Sequence, residues 1–189
     1  MDHKAIISNI EQNPIIAGVR DENMLQQAIM SPVSTIFLLH ANIFNIKPMV
    51  DKIKDSGKCV MIHLDFLDGI GRDNCAMDYI CGIIKPDGII STKNNNIRHA
   101  NSKGMFTIQR FFLIDSTAYE TSVKTANAIK PNMVEILPGI IPKMLARVSQ
   151  RLPMPIIAGG LVSTKEDVLE VLNSGALAAS TGRSELWGL

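Results

Sequence analysis

Two glycine-containing segments near the C-terminal end of the chain could bind an anion. In the first, an apolar run leads directly into Gly159-Gly160, and in the second Ser180-Thr181-Gly182-Arg183 precedes a short segment that could begin a helix. Glycine lets backbone N–H groups approach an anion closely, and a helix N-terminus adds unpaired N–H groups and positive dipole. Each segment alone is better explained by an ordinary turn or cap. Together they favour a phosphate group, with the candidate ligands Gly159, Gly160, Ser180, Thr181, Gly182 and Arg183.

Charged side chains stand at or near the ends of other apolar segments, and the candidates for binding the hydroxyls of a polyol are Arg20, Asp65, Lys93, Arg110 and Glu135. The carboxylates could accept hydrogen bonds from substrate hydroxyls, act as general acids or bases, or balance the cations in a structural network. Lys93 could form a Schiff base if burial lowers its pKa, although such a lysine more often pairs with phosphate or carboxylate. Ligand binding and a purely structural role therefore both stay open.

Metal and disulfide chemistry find little support. His63 and Asp65 share strand parity and could bind a metal, but no further ligands are evident, so no metal and no cofactor are expected. The three cysteines Cys59, Cys75 and Cys81 lack CxxC spacing, and their odd number argues against a closed set of disulfides. A reducing cytoplasm fits this pattern best.

The elements that must position these residues alternate between short apolar segments and longer amphipathic ones. The short segments predict eight strands, at Ile15–Arg20, Thr35–His40, Cys59–Asp65, Gly88–Thr92, Phe106–Leu113, Met133–Leu137, Pro155–Ala158 and Ala176–Ser180. Most are continuously apolar, as in parallel strands covered on both faces. The longer segments predict helices at Asn23–Met30, Asn45–Asp55, Arg72–Lys85, Asn95–Lys103, Ser116–Lys130, Ile141–Arg151 and Thr164–Asn173, with one or two further turns in Arg183–Leu189.

This alternation predicts one α/β domain over residues 1–189, a compact (β/α)8 TIM-like barrel with an extra N-terminal helix. Each unit would average about 24 residues, which is feasible if the loops are minimal. An open doubly wound sheet is the alternative, but no GxGxxG follows the first strand. The extra helix, Asp2–Gln12, could close the bottom of the barrel or pack on its side. In such barrels the loops after strands seven and eight form the usual phosphate site.

Composition limits the classes of partner. The 189 residues are 46% hydrophobic and 20% charged with a net charge of +1, and no apolar run approaches the roughly 18 residues of a membrane span. An aromatic content of 5% argues against broad stacking platforms for single-stranded nucleic acid. Lys143, Arg147 and Arg151 form one basic stripe at i, i+4 and i+8 spacing, which could contact RNA phosphates or simply face solvent.

Seven short segments, in order along the chain, resemble the glycerol-3-phosphate-responsive antiterminator family. They are Ile16–Arg20, His63–Asp65 with Asp68-Gly69, Asp87–Lys93, Gln109–Ser116, Glu135–Gly139, Ile157–Leu161 and Ser184–Trp187. The resemblance implies a TIM-barrel-like regulator of the bacterial cytoplasm that binds glycerol 3-phosphate as effector. It also implies ligand-dependent contact with leader mRNA, which prevents premature transcription termination of glycerol-utilisation genes, and no catalysis.

Two other functions fit the same residues. A phosphosugar isomerase or aldolase would use Lys93 and the strand-end acids, with the phosphate as an anchor. A metabolite-binding module would act through a protein partner instead of RNA. No membrane partner is expected, and assembly into a homo-oligomer is left open.

Overall fold

Eight parallel strands close into a barrel in the computed structural model, which describes residues 2–71 and 73–189. In chain order they are β1 (Ile15–Val19), β2 (Thr35–Leu38), β3 (Cys59–His63), β4 (Gly88–Ser91), β5 (Phe106–Phe112), β6 (Met133–Leu137), β7 (Ile156–Gly159) and β8 (Ala178–Thr181). Each strand pairs with the next, and β8 closes the ring on β1 with Ile15 opposite Ala179. The predicted TIM-like fold class is confirmed; Met133–Leu137 matches the prediction at both ends, and the ends of the other strands differ from it by at most two residues.

Eight α-helices are described. They are α1 (His3–Gln12), α2 (Glu22–Met30), α3 (Ile46–Asp55), α4 (Asn74–Tyr79), α5 (Asn94–Ser102), α6 (Ser116–Ile129), α7 (Pro142–Ser149) and α8 (Lys165–Asn173). None of the described helices has both the length and the apolar character needed to cross a bilayer.

Three predicted helices differ from the observed ones by more than one residue at an end, whereas the ends of the others differ by at most one residue. Arg72, the predicted start of the fourth, lies outside the described residues; α4 begins at Asn74 and runs into a π-helical turn over Ile80–Ile84. The predicted Ile141–Arg151 helix is shorter, beginning at Pro142 and ending at Ser149. The last segment contains a single 3-10 turn, Ser184–Leu186.

Helix caps account for several acidic residues that follow strands. The carboxylates of Asp21, Asp73 and Asp115 accept backbone N–H groups in the first turns of α2, α4 and α6. Thr164 and Asp167 form a reciprocal capping box at the start of α8. The hydrogen-bonding capacity of these side chains is therefore used to cap the helix N-termini.

Two apolar cores lie on opposite sides of the strands. The larger core packs the outer faces of the strands against the helices. The smaller fills the barrel interior with inward-facing side chains from all eight strands, namely Ile16, Phe37, Cys59, Met61, Ile90, Phe106, Ile108, Met133, Ile157 and Ala178.

Helix α1 closes the bottom of the barrel. Ile6 and Ile10 are fully buried and belong to the interior core. The His3 ring contacts the Gly104 carbonyl oxygen and the Asn132 side-chain amide, at 3.1 Å each, in the loops that precede β5 and β6. Of the two placements considered for this helix, the bottom of the barrel is the one observed. The opposite end of the barrel is left open.

The role of α1 in closing the bottom of the barrel can be tested with Ile10→Ala. Removing a fully buried side chain from a close-packed interior leaves a cavity, so we expect the free energy of unfolding to fall by about 3 kcal/mol in urea denaturation. Leu169→Ala, at a side chain that is 51% exposed on α8, should change it by less than about 0.5 kcal/mol. Equal small losses for both variants would show that α1 does not seal the barrel.

Candidate functional site

A cavity of about 540 Å³ opens at the C-terminal end of the barrel, the end that α1 leaves free. The sequence-predicted residues that line it are Arg20, Arg110, Glu135, Gly160, Ser180, Thr181, Gly182 and Arg183. The others are Gly18, Met24, Phe37, Leu39, Leu137, Leu161, Val162 and Ser163. The structure thus brings most of the predicted phosphate and polyol ligands around one space.

A buried ion pair forms part of the cavity wall. Arg110 on β5 donates from Nε to Glu135 Oε2 on β6 at 2.6 Å, and the two residues are 7% and 1% exposed. Ser180 on β8 donates from Oγ to the other carboxylate oxygen at 2.7 Å. The two terminal NH2 groups of Arg110 have no acceptor within the described part of the chain, so their N–H donors remain for a ligand to use.

Gly159 lies directly beneath this pair rather than in the cavity lining. A Cβ at this position would come within 2.5 Å of both Glu135 Oε1 and Ser180 Oγ. Only glycine therefore lets the carboxylate on β6 reach across β7 to the hydroxyl on β8. The predicted role of Gly159 as a direct phosphate ligand is less well supported than this steric one.

The loops after β7 and β8 present free backbone donors. Among the residues described, the N–H groups of Gly160, Leu161 and Gly182 have no protein acceptor. Gly160 and Leu161 have φ of 73° and 62°, a left-handed conformation that turns the chain sharply after β7. Unpaired N–H groups on consecutive residues of such a turn form a concave anion-binding surface.

Hydrogen bonds hold the two loops together. Thr181 Oγ1 donates to the Val162 carbonyl oxygen at 2.8 Å and accepts the Arg183 N–H at 3.1 Å. The buried Trp187 indole donates to the Thr181 carbonyl oxygen at 3.0 Å. The Thr181 hydroxyl and the Arg183 N–H are thus engaged within the protein. A single 3-10 turn follows, so the loop N–H groups contribute more than a helix dipole does.

Positive charge dominates the cavity. Arg20 and Arg183 are exposed, and neither forms an ion pair with any residue in 2–71 or 73–189. With Arg110 they face a single lining carboxylate, Glu135, which leaves an excess of two positive charges. A phosphate monoester carries about −1.5 to −2 at neutral pH. The cavity therefore complements such a ligand in charge.

Two predicted polyol ligands lie outside this cavity. The Asp65 carboxylate accepts hydrogen bonds from the Ser91 hydroxyl and from the Thr92 hydroxyl and N–H, at 2.7–2.8 Å. Burial raises the pKa of Asp65, but these hydrogen bonds outweigh it and hold the pKa below its usual value. Lys93 is exposed and directly precedes α5. Asp65 therefore joins the loops after β3 and β4. Lys93, the candidate for a Schiff base, does not line the cavity.

His63 is the buried polar residue that the sequence interpretation considered only as a metal ligand. It is 2% exposed, and burial together with the nearby Arg110 cation lowers its pKa to about 4. Its imidazole stacks on the Phe66 ring with centroids 4.4 Å apart. No cluster of three or more His, Cys, Asp or Glu residues that could hold a metal ion occurs in the described part of the chain.

The basic stripe lies on the outer surface of the barrel. Lys143 and Arg147 are exposed on α7, whereas Arg151 follows the end of that helix. The guanidinium groups of Arg147 and Arg151 each lie 5.4 Å from the centre of the Tyr119 ring, and Arg151 also pairs with Glu120 at 2.8 Å. Two of the three cations are thus already engaged, and only Lys143 lacks a partner among the described residues.

Several lining residues escaped prediction for identifiable reasons. Gly18 faces inward because it lies two residues after the interior Ile16, so strand parity could have identified it. Leu161 and Val162 carry no polar group, and Leu161 has a backbone conformation that leucine rarely adopts. No sequence signal marks them as part of an anion site.

Fold and site together define a TIM-like barrel with a cationic cavity at the C-terminal ends of its strands, where barrels of this class bind their ligands. The family model for the glycerol-3-phosphate responsive antiterminators matches residues 15–187. The chain belongs to this family.

Related proteins support the same assignment. The Escherichia coli (strain K12) uncharacterized protein YgcP is 39% identical over 180 residues, covering 95% of this chain and 94% of that protein. The crystal structure of the glycerol uptake operon antiterminator regulatory protein from Listeria monocytogenes is 36% identical with a TM-score of 0.89, covering 93% of this chain and 95% of that one. A glycerol uptake operon antiterminator-related protein from Thermotoga maritima is 32% identical with a TM-score of 0.82, covering 92% and 96%.

The family is one of regulators and not of enzymes. Aldolases among the solved structures superpose on the chain at only 7–12% identity, which shows the shared fold alone. The non-enzymatic interpretation of the sequence therefore agrees with the family, and the phosphosugar-enzyme alternative has the fold as its only support.

The buried ion pair can be tested with Glu135→Gln. The change leaves the Arg110 guanidinium buried without a counter-charge, so we expect the free energy of unfolding to fall by about 3 kcal/mol in urea denaturation. Glu120→Gln breaks the exposed pair with Arg151 and should cost less than about 1 kcal/mol. Similar losses for the two variants would contradict a structural role for the buried pair.

Proposed function

We propose that the chain binds glycerol 3-phosphate in the cavity and that the bound ligand controls contact with leader mRNA. The observation that carries the ligand assignment is the set of unpaired groups in the loops after β7 and β8. Free N–H groups at Gly160, Leu161 and Gly182 lie beside two exposed arginines that form no ion pair in the described chain. These groups suit a phosphate dianion, and the family name supplies the glycerol ester.

The ligand would lie with its phosphate outermost and its hydroxyls inward. The phosphate accepts from the N–H groups of Gly160 and Gly182 and from the Arg183 side chain. The glycerol carbons then extend toward Glu135 and Arg110, whose carboxylate and free terminal nitrogens suit hydroxyl groups. Glycerol lacks the phosphate and inorganic phosphate lacks the hydroxyls, so each would use only part of the site.

Control of transcription termination would follow from binding of the leader transcript in the cytoplasm, as the family description suggests. The candidate RNA surface is the stripe of Lys143, Arg147 and Arg151. Lys143 is free to contact a phosphate, while the arginines would first have to exchange their contacts with Tyr119 and Glu120. No cofactor is needed for such a regulator. The proposal holds for a monomer or a homo-oligomer, because the oligomeric state would change only the affinity for RNA.

Calorimetric titration tests the ligand. We expect sn-glycerol 3-phosphate to bind more tightly than either glycerol or inorganic phosphate. Arg183→Ala should weaken binding about 10-fold, because one charge-assisted contact with the phosphate is lost.

The matched control is Arg98→Ala, which removes an exposed arginine on α5 that does not line the cavity. It should leave the affinity unchanged. Equal effects of the two variants, or binding of glycerol as tight as that of its phosphate ester, would overturn the assignment of the site.

RNA binding is tested by gel retardation of the leader transcript of the host's own glycerol-uptake operon at several salt concentrations. With glycerol 3-phosphate present, affinity should fall steeply with salt, by about 0.7 in log–log slope for each phosphate contact. Lys143→Ala combined with Arg147→Ala should reduce that slope by between about 0.7 and 1.4, as one or two contacts are lost.

Lys4→Ala combined with Arg98→Ala serves as the control, because it removes two exposed cations elsewhere on the surface. An unchanged slope in the stripe variant would place the RNA on another surface. No retardation of the transcript with ligand present, together with a stable protein complex, would instead favour a metabolite-binding module that acts through a protein partner.

A further inference from the structure

His63 is a buried polar group whose hydrogen-bonding capacity is unused. It is the last residue of β3 and faces the barrel interior, in line with Cys59 and Met61. Neither ring nitrogen has a hydrogen-bond partner within residues 2–71 and 73–189. A buried polar atom without a partner costs about 1–3 kcal/mol, so such groups are uncommon in native proteins and require an explanation.

The imidazole lies directly behind the cavity wall. In the register of the barrel Leu38 pairs with Ile62, which places the next residue, Leu39, beside His63. Leu39 lines the cavity on this side, and Arg110 lines it on the other. His63 pairs with Ile90 and Ile90 with Ile108, and Arg110 follows two residues later on the same face of β5, so both side chains point into the same upper part of the interior. The Arg110 cation accordingly lowers the pKa of His63. Rotation of the Leu39 side chain, which is a rapid motion, would bring the imidazole into contact with the cavity.

Phe66 fixes the orientation of the imidazole. The two rings are 29° from parallel and stack face to face, and Phe66 belongs to the 3-10 turn Leu64–Phe66 that follows β3. Stacking covers a face of the imidazole and leaves its edge, which carries both nitrogens, for other contacts. With a pKa of about 4 the ring is neutral at physiological pH. One nitrogen then donates and the other accepts, which matches the two roles of an alcohol hydroxyl.

We propose that His63 binds a hydroxyl group of the ligand and thereby selects a phosphorylated polyol over other phosphate monoesters. The proposal rests on glycerol 3-phosphate binding in the cavity, and it assigns the inward end of that ligand. The hydroxyl displaces the Leu39 side chain from the wall and satisfies a His63 ring nitrogen that has no partner in the described part of the free protein. The terminal nitrogens of Arg110 can donate to the same or the neighbouring hydroxyl.

The experiment compares two ligands that differ only in hydroxyl groups. Propyl phosphate has the chain length and charge of glycerol 3-phosphate but no free hydroxyl. Wild-type protein should prefer glycerol 3-phosphate by at least about 10-fold in calorimetric titration, since hydroxyls with dedicated partners discriminate strongly. His63→Phe preserves the stacking on Phe66 and removes both nitrogens, so it should lose most of this preference while its affinity for propyl phosphate stays unchanged.

Stability provides a second readout. Because His63→Phe replaces unsatisfied nitrogens by carbon, its urea midpoint should equal or exceed that of the wild type, which a purely structural hydrogen-bonding role would not allow. His40→Phe, at an exposed histidine after β2 that does not line the cavity, is the matched control and should retain the ligand preference. An unchanged preference in His63→Phe would overturn the proposal.

A measurement on the wild-type protein covers the case in which His63→Phe fails to fold. The ring nitrogen resonances of the histidine that stays neutral down to about pH 4 should shift with glycerol 3-phosphate and not with propyl phosphate. Unchanged resonances at saturating glycerol 3-phosphate would reject the assignment to His63. If neither ligand binds to the wild type, the proposed function itself fails, which is a distinct result from binding without a shift.

Discussion

The ion pair between Arg110 and Glu135 sets the arrangement of the whole upper part of the barrel. Its bond to Ser180 links β5, β6 and β8 across β7, and this reach requires glycine at position 159. Below the pair the interior is filled with apolar side chains and closed by α1. Above it the interior is open and carries an excess of positive charge. A buried pair of this kind adds little net stability, because desolvation offsets attraction. Its value lies in holding the free guanidinium nitrogens toward the cavity.

The proposed ligand recognition divides between the two ends of one cavity. In the proposed binding mode, the loops after β7 and β8 would supply N–H groups and Arg183 for the phosphate, and the interior would supply Arg110, Glu135 and His63 for the hydroxyls. The phosphate end is near solvent, where salt and exchange weaken single contacts. The hydroxyl end is buried, where an unpaired polar group is costly. The buried end would therefore supply most of the selectivity.

Much of this arrangement could be read from the sequence, and the reasons differ by element. Continuous apolar runs identify buried parallel strands, and the order of the strands alone brings the segments at Gly159 and Ser180 side by side. Side-chain contacts between strands across the barrel have no comparable signal in the sequence. Asp65 looked like a ligand because sequence does not show that Ser91 and Thr92 surround its carboxylate. His63 looked like a metal candidate for a similar reason. Only the structure shows that its two ring nitrogens are buried without a hydrogen-bond partner among the described residues.

The most direct test of the central claim is a crystal structure of the protein with sn-glycerol 3-phosphate. The account predicts a phosphate about 3 Å from the N–H groups of Gly160 and Gly182, within reach of the Arg183 guanidinium, with the glycerol carbons directed toward Glu135. A phosphate bound beside Lys93, or on the basic surface of α7 with this cavity empty, would contradict it.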